Sequence, residues 1–324
     1  KTAQILEKKF CLAAKRHVYC DHHTAHAYAA LYSSGFVNKY NQVLVITCDG
    51  GGDGLSSTVS VYQNGILRRV AQSTQDNSLG CLYGCITDIL GMQSLEHEYK
   101  VMGLAPYAAG RDREGEKIYQ FLKSVISLNK KTLAWQTIVA SDNLNRYLRE
   151  HLPRYRFDTL AAAVQKLTEE LLVTWICAAI EKTGVKNIVF GGGVAQNVKA
   201  NQQIAKIPAL GDLFVMPSAG DESNSLGCAY WGTRLANPKI PLKPLSNLYL
   251  GPSYTNEDLE RALKRLKSKK YKITKIKNQR EVAKLLSQGE VVARFAGRLE
   301  FGARALGNRS ILADPTHPDI INTI

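Results

Sequence analysis

Three imidazoles fall within five positions of the segment HHTAHA, residues 22 to 27. On a helix, His22 and His26 stand four residues apart and project from one face, with Cβ atoms roughly 5 to 6 Å apart. One divalent ion can then accept a nitrogen from each. The alternative is a packed helix carrying some polar side chains, because an isolated H-x-x-x-H pair is weak evidence for a metal. No glutamate follows the first histidine, so the metalloprotease arrangement is absent. His23 points to a different face and is expected to support such a site or to lie at the surface.

Carboxylates appear in two matching contexts. In VITCDGGGDG, Asp49 ends an apolar run and is followed by Gly50, Gly51 and Gly52. Ligands in α/β folds collect at the carboxyl ends of strands, and consecutive glycines let backbone N–H groups approach a phosphate. The same residues also suit a plain tight turn with a capping aspartate. PSAGDESNSLGCA repeats the arrangement, with Asp221 and Glu222 after a second strand and opening a helix. His22, His26, Asp49 and Asp221 together make a candidate four-ligand set.

A third turn, VFGGGVAQNVKANQ, invites comparison with dinucleotide-binding loops. It lacks the fingerprint: after Gly191 and Gly193 the third glycine position holds Gln196, and no acidic residue follows at the required distance. A nicotinamide dehydrogenase is therefore not expected, although a helix opening beside glycines can still take an anionic or nucleoside ligand. LEHEYKVMGLAPY, residues 95 to 107, sets His97 and Lys100 among acids before a Gly and Pro stop, as a functional loop or a surface connection. GRLEFGARALGNRS gathers Arg298, Arg304, Asn308 and Arg309 around three glycines. Arginine forks beside flexible backbone fit a phosphate or carboxylate, and an exposed strand is the alternative.

These residues need rigid elements behind them. Strand, turn and helix signals alternate, which predicts an α/β fold. QVLVITC (42 to 48) reads as a buried strand, followed by a meander turning at Asn64-Gly65. NSLGCLYGCITDILGM reads as a buried helix. Helical spacing from Phe157 to Thr183 ends at Gly184, a residue suited to the left-handed stop. VKNIVF and DLFVMP are further strands. Four prolines between 236 and 253 mark a boundary. The expected organisation is a first domain over 1–236, a linker over 237–252 and a second domain over 253–324. In the latter, TNEDLERALKRL opens with an N-cap signal and EVVARFAG is a strand.

Composition excludes several classes. With 324 residues and 45% hydrophobic content, the chain can bury large cores and is not a disordered protein. No apolar run of about 18 residues predicts a membrane span. The opening KTAQILEKKFCLAAKRH is charged throughout and lacks an apolar signal core, so a cytoplasmic location is expected. Seven cysteines lack the paired spacings of a zinc ribbon or disulfide framework, and most, including Cys81 and Cys85, are expected to be small buried hydrophobes. The net charge of +14 suggests anionic partners. Its densest block, RLKSKKYKITKIKNQR (265 to 280), lacks interleaved aromatics and reads as a solvated edge.

Six stretches, in order, resemble the O-carbamoyltransferase family that modifies nodulation factors, cephamycins and aminoglycosides: HHTAHAYAALYSSGF, CDGGGDG, HEYKVMGLAPY, GGGVAQNVKAN, PSAGDESNSLGCA and GRLEFGARALGNRSILADP. The resemblance covers nearly the whole chain. It implies a first domain of the actin, sugar-kinase and Hsp70 (ASKHA) superfamily, similar to the tRNA threonylcarbamoyladenosine transferase. A YrdC-like α/β domain that forms carbamoyl-adenylate would follow, present here in part. The implied substrates are carbamoyl phosphate, ATP and a hydroxyl acceptor, with neither nucleic acid nor membrane as partner. His22, His26, Asp49 and Asp221 match the family's ligands for a divalent metal, Fe2+ first, with Mn2+ or Zn2+ also suited to two imidazoles and two carboxylates. The resemblance assigns Gly192, Gly193 and Asn197 to nucleotide binding, to which the glycine turn after Asp49 adds Gly50 and Gly51; it puts Lys100 beside the catalytic site, and gives Arg298, Arg304, Asn308 and Arg309 the carbamoyl phosphate or nucleotide phosphates.

Ala303 departs from the family's usual proline. The family's opening β-hairpin segment is missing before Lys1, and its closing stretch is missing after DIINTI, so the chain is expected to be a fragment. A tRNA-modifying transferase is the nearest rival function, but it normally lacks a fused GARALGNRS-type motif. A non-catalytic nucleotide-binding module and a sugar kinase of the same superfamily are more distant alternatives.

Overall fold

The computed structural model describes residues 18–109, 112–266, 272, 274, 276 and 278–324. The expectation about the opening segment, and half of the basic block, therefore lie outside the described residues. The chain divides into two compact units, Lys1–Leu245 and Ser246–Ile324. The division falls within the proline-bearing stretch.

The first unit begins with α1 (His22–Ser33) and α2 (Phe36–Lys39), then a meander of β1 (Gln42–Gly52), β2 (Leu55–Gln63) and β3 (Ile66–Thr74). It continues with α3 (Leu79–Ile89), α4 (Glu98–Leu104), α5 (Asp112–Val125), the hairpin β4 (Ile126–Asn129) and β5 (Ala134–Thr137), α6 (Ser141–His151) and the 27-residue α7 (Phe157–Thr183). It closes with β6 (Ile188–Gly191), α8 (Val198–Ile204), β7 (Leu213–Val215) and α9 (Asn224–Ala236). The second unit holds α10 (Asn256–Arg265), α11 (Gln279–Ser287), the antiparallel pair β8 (Val292–Phe295) and β9 (Arg309–Leu312), and α12 (Ile320–Thr323).

Five strands form one mixed sheet in the order β3-β2-β1-β6-β7. The β1-β2-β3 meander is antiparallel, and its Asn64-Gly65 turn takes positive φ at both residues, +50° and +82°, the twist that a two-residue hairpin requires. β1, β6 and β7 run parallel, with Leu44 to Thr47 paired to Ile188 to Gly191. Parallel strands need long crossovers and cover on both faces, and β1 is accordingly buried from Val43 to Cys48. Both α1 and α3 pack on it.

α7 is the central pillar. It buries Leu160, Val164, Leu167, Leu172, Trp175 and Ile176, each worth about 1.5 to 3 kcal/mol on transfer from water, and stops at Gly184 with φ +71°. Trp175 packs against Trp135 with ring centroids 4.9 Å apart and donates its indole N–H to the Leu133 carbonyl at 2.8 Å. The large hydrophobic cluster belongs to the first unit.

The cysteines differ from expectation. Among those described, Cys48 alone is buried; Cys20, Cys81 and Cys85 are half-buried, and Cys177 and Cys228 are exposed on their helices. A cysteine carries no periodic signal of its own, so its face is decided by the neighbours that set the helix stripe.

A candidate metal centre

The sheet's parallel half ends where the candidate ligands gather. Asp49 lies at the carboxyl end of β1, and Asp221 lies beyond the carboxyl end of β7, at the lead-in to α9. The two histidines come from the first turns of α1. That helix starts at His22 because Asp21 caps it, accepting from the Thr24 N–H at 3.1 Å, while Arg69 holds the cap at 2.9 Å. Asp53, in the turn after the three glycines, accepts the His22 N–H at 2.8 Å and ties the helix start to the end of β1. Gly52 is required beside it, because a Cβ there would fall inside the His22 ring.

His26 Nε2 lies 2.9 Å from Asp49 Oδ2 and 3.4 Å from Asp221 Oδ1. His22 Nε2 lies 3.3 Å from Asp49 Oδ2, 3.5 Å from Asp221 Oδ1 and 3.1 Å from His26 Nε2. One donor atom from each residue falls within 4.8 Å of all the others. An ion bonded at about 2.0 to 2.2 Å to each donor needs neighbouring donors roughly 3 to 3.5 Å apart, so the spacing fits a single cation. Two imidazoles and two carboxylates also suit a borderline divalent metal chemically.

Burial grades across the cluster. The His26 side chain is fully buried, those of His22 and Asp49 are 17% and 16% exposed, and that of Asp221 is 74% exposed. The set is thus closed on the protein side and open at Asp221. Burial alone would push the Asp49 carboxyl up, but hydrogen bonds from His22 and His26 outweigh it and hold the group far below the usual carboxylate range. Burial likewise works against the His26 imidazolium, and hydrogen bonds to Asp221 and Asp49 overcome it, leaving His26 raised above its ordinary value. The metal-free cluster therefore favours a proton where a cation would otherwise sit.

Around the far sides of the rings stand residues that spacing in the sequence did not single out. Ser223 Oγ is 3.4 Å from His26 Nδ1, and the Asn224 amide nitrogen is 3.4 Å from both His22 Nδ1 and His26 Nε2. Their signal was position alone, two and three residues after Asp221. His23 is not at the surface: it is 1% exposed, with Nδ1 2.8 Å from Thr47 Oγ1.

The remaining candidates are distributed differently. The Gly50 N–H donates to Asp49 Oδ1 at 2.7 Å, and the Gly50 carbonyl accepts from Ser78, so this turn serves the carboxylate. Gly51 packs against Gln75. Gly192, at φ +88°, has no room for a Cβ against the Cys48 backbone, and a Cβ added at Gly193 would lie 3.0 Å from Asp49 Oδ1. Asn197 caps α8 through the Ala200 N–H and exchanges two amide hydrogen bonds with Gln165. Lys100 is exposed on α4, 5.9 Å from the Tyr99 ring centroid, and is not part of the four-residue cluster.

In the second unit the arginine-rich loop joins β8 to β9. Arg298 donates to the carbonyls of Gly251 and Leu250 at 2.9 and 2.8 Å. Arg309 donates to the Ala296 carbonyl at 2.6 Å and lies 3.5 Å over the Phe295 ring. The Asn308 amide donates to the Arg298 carbonyl at 2.7 Å. Arg304 is exposed between Gly302 and Gly307, both at positive φ. Glu300, unmarked by any motif rule, accepts the N–H groups of Leu306, Asn308 and Arg309 at 3.1, 2.6 and 3.0 Å. Desolvation opposes its charge, yet these amides hold the carboxyl at about 2.

Fold and site together define an α/β protein with a two-histidine, two-carboxylate cluster at the carboxyl ends of parallel strands. A family model described as carbamoyltransferase N-terminus matches residues 3–230, and one described as carbamoyltransferase C-terminus matches residues 283–324. The chain belongs to the carbamoyltransferase family. It is 34% identical over 315 residues to the uncharacterized protein MJ1051 of Methanocaldococcus jannaschii, covering 93% of this chain and 58% of that protein. It is 32% identical over 316 residues to nodulation protein NolNO of Sinorhizobium fredii, covering 94% and 45%. The chain thus spans about half the length of the curated relatives it matches. Among solved structures, T. kodakarensis HypF aligns with a TM-score of 0.42 at 14% identity, over 74% of this chain and 40% of that one. At that score the likeness carries no weight for fold or function. Among the described residues, no helix is long and apolar enough to cross a membrane.

Proposed function

We propose that the full-length protein transfers a carbamoyl group from carbamoyl phosphate, with ATP, to a hydroxyl of a sugar or other natural product. The observation that carries this is the convergence of His22, His26, Asp49 and Asp221 on one point, in a chain of the carbamoyltransferase family. The first unit would be an ASKHA-type domain and the second the start of a YrdC-like domain.

The chemistry has two stages. Carbamoyl phosphate releases its phosphate to water, and the carbamate oxygen bonds to the α-phosphorus of ATP as pyrophosphate leaves. The acceptor hydroxyl then attacks the carbamoyl carbon, its proton is lost, and the bond to AMP breaks. Arg298, Arg304, Asn308 and Arg309 would meet the carbamoyl phosphate or nucleotide phosphates, on a loop shaped by the backbone carbonyls that Arg298, Asn308 and Arg309 also engage. Glycines 192 and 193 keep side chains away from the edge of the cluster. His22, His26, Asp49 and Asp221 would hold a divalent ion, Fe2+, Mn2+ or Zn2+, which when bound supplies Lewis-acid stabilisation of phosphate and carbonyl charge. The exposed Asp221 side leaves room for substrate, as a catalytic site requires and a closed structural site does not.

The test separates the stages in the full-length protein. His22→Ala is expected to lose bound metal and to lower carbamoyl transfer by more than about 100-fold, while pyrophosphate release persists. Arg304→Ala is expected to abolish pyrophosphate release. Transfer by metal-free His22→Ala would refute the cluster's role, and undiminished release by Arg304→Ala would remove that arginine from the site.

A further inference from the structure

Both histidines turn Nε2 toward the shared point, and both therefore need their proton on Nδ1 if the Nε2 lone pairs are to face a cation. A metal-bound histidine ordinarily donates that second N–H to an acceptor, which fixes tautomer and ring angle together. His26 has Ser223 Oγ at 3.4 Å, a buried hydroxyl that can accept. For His22 the group at the corresponding nitrogen is the Asn224 side chain, also at 3.4 Å.

The orientation of that amide is informative. Its nitrogen faces the two rings, while its oxygen is buried with no hydrogen-bond partner. An orphaned buried carbonyl costs about 1 to 3 kcal/mol. A donor N–H pointing at an Nδ1–H, and toward a cation bound at His26 Nε2, is unfavourable on both counts. A half turn of the amide exchanges the two ends. The carbonyl oxygen then meets the His22 Nδ1–H and presents negative charge toward the cation's side of the site.

We infer that Asn224 is a positioning residue of the metal centre: with an ion bound, its carbonyl oxygen accepts the His22 Nδ1–H and holds that ring in the metal-binding tautomer. The inference rests on the proposal that the four-residue cluster binds a metal. It goes beyond that proposal by assigning a role to a residue outside the ligand set. It also accounts for Asp221 and Asn224 lying three residues apart: one segment delivers a candidate ligand and the support for another.

The experiment uses full-length protein, Zn2+ as probe and a competing chromophoric chelator. Asn224→Leu keeps the branched shape and removes the acceptor, and is expected to weaken Zn2+ binding about 10- to 100-fold. Asn224→Asp keeps an acceptor oxygen and is expected to bind as tightly as the parent or more so. Metal-free melting temperatures of parent and variants control for folding. In the Zn2+-loaded parent, long-range proton–nitrogen correlations should show His22 protonated at Nδ1, a readout that needs no variant. Equal Zn2+ affinity for Asn224→Leu and parent overturns the inference, as does His22 protonated at Nε2, or an Asn224→Asp loss as large as that of Asn224→Leu. Failure of the parent to bind Zn2+, Mn2+ or Fe2+ at all overturns the metal proposal itself, and the two failures are thereby distinguished.

Discussion

Gly227 offers the sharpest steric test of how the cluster is built. It sits on α9 where that helix crosses α1, and a Cβ added there would lie 2.5 Å from the Ala25 carbonyl carbon and 3.0 Å from its Cα, with the oxygen closer still. Carbon atoms rest about 3.5 to 4.0 Å apart, so Gly227→Ala must part the two helices by roughly 1 Å. The obstacle is backbone and cannot rotate away. Overpacking of this kind costs about 1 to 3 kcal/mol, partly offset by the gain of up to about 1 kcal/mol when alanine replaces glycine in a helix. Net destabilisation should be about 0 to 3 kcal/mol. Metal binding is the more sensitive readout, since α1 carries His22 and His26 while Asp221 leads into α9, and metal bonds tolerate only about 0.2 Å. A loss of affinity exceeding about 100-fold is expected in an equilibrium metal titration. Gly232→Ala, on the same helix with nothing within 4 Å of its Cβ position, is the control: it should leave affinity unchanged and slightly raise the melting temperature. If the two variants bind metal alike, the tight α1–α9 crossing does not set the ligand geometry.

Two other perturbations follow from the same geometry. In metal-free protein, the raised His26 contributes stability that is fully present below its ordinary value of 6.5 and is lost as pH rises through its folded value. The depressed Asp49 contributes stability present above 3.8 and lost as pH falls through its folded value. Chelator-treated parent should thus lose more stability than His26→Gln as pH rises above about 6.5 in denaturant titrations, while metal affinity of the parent climbs in the same direction as the proton is displaced; parallel stability profiles for the two proteins would contradict this. Asp53→Ala removes the acceptor for the His22 N–H and should cost about 1 kcal/mol, with weaker metal binding, measured by melting and by the same titration. Unchanged affinity would show that the helix start is held without it.

Much of the scaffold could be read from pattern because its signals are local. The β1 run, the Asn64-Gly65 hairpin and the α7 span with its Gly184 stop each depend on residues adjacent in sequence. The four-residue set was legible because strand-end aspartates and an i,i+4 histidine pair are individually recognisable. What sequence spacing could not supply is the far side of each side chain. Asp53, Ser223 and Asn224 act through single hydrogen bonds or contacts across turns, and nothing in their spacing marks them. Arginine types suggested phosphate recognition throughout the 298 to 309 loop; what they did not reveal is that Arg298 and Arg309 also meet backbone carbonyls and that Glu300 organises the loop from within. Charge identifies a residue's capacity, whereas the partner that takes it up is a tertiary fact.

The central claim is that one divalent ion is held by two imidazoles and two carboxylates. Elemental analysis combined with anomalous diffraction on full-length protein tests it most directly. The account predicts one ion per chain, bonded to His22 Nε2, His26 Nε2, Asp49 and Asp221. Fully active protein free of metal, or an ion bound only at other residues, would contradict it.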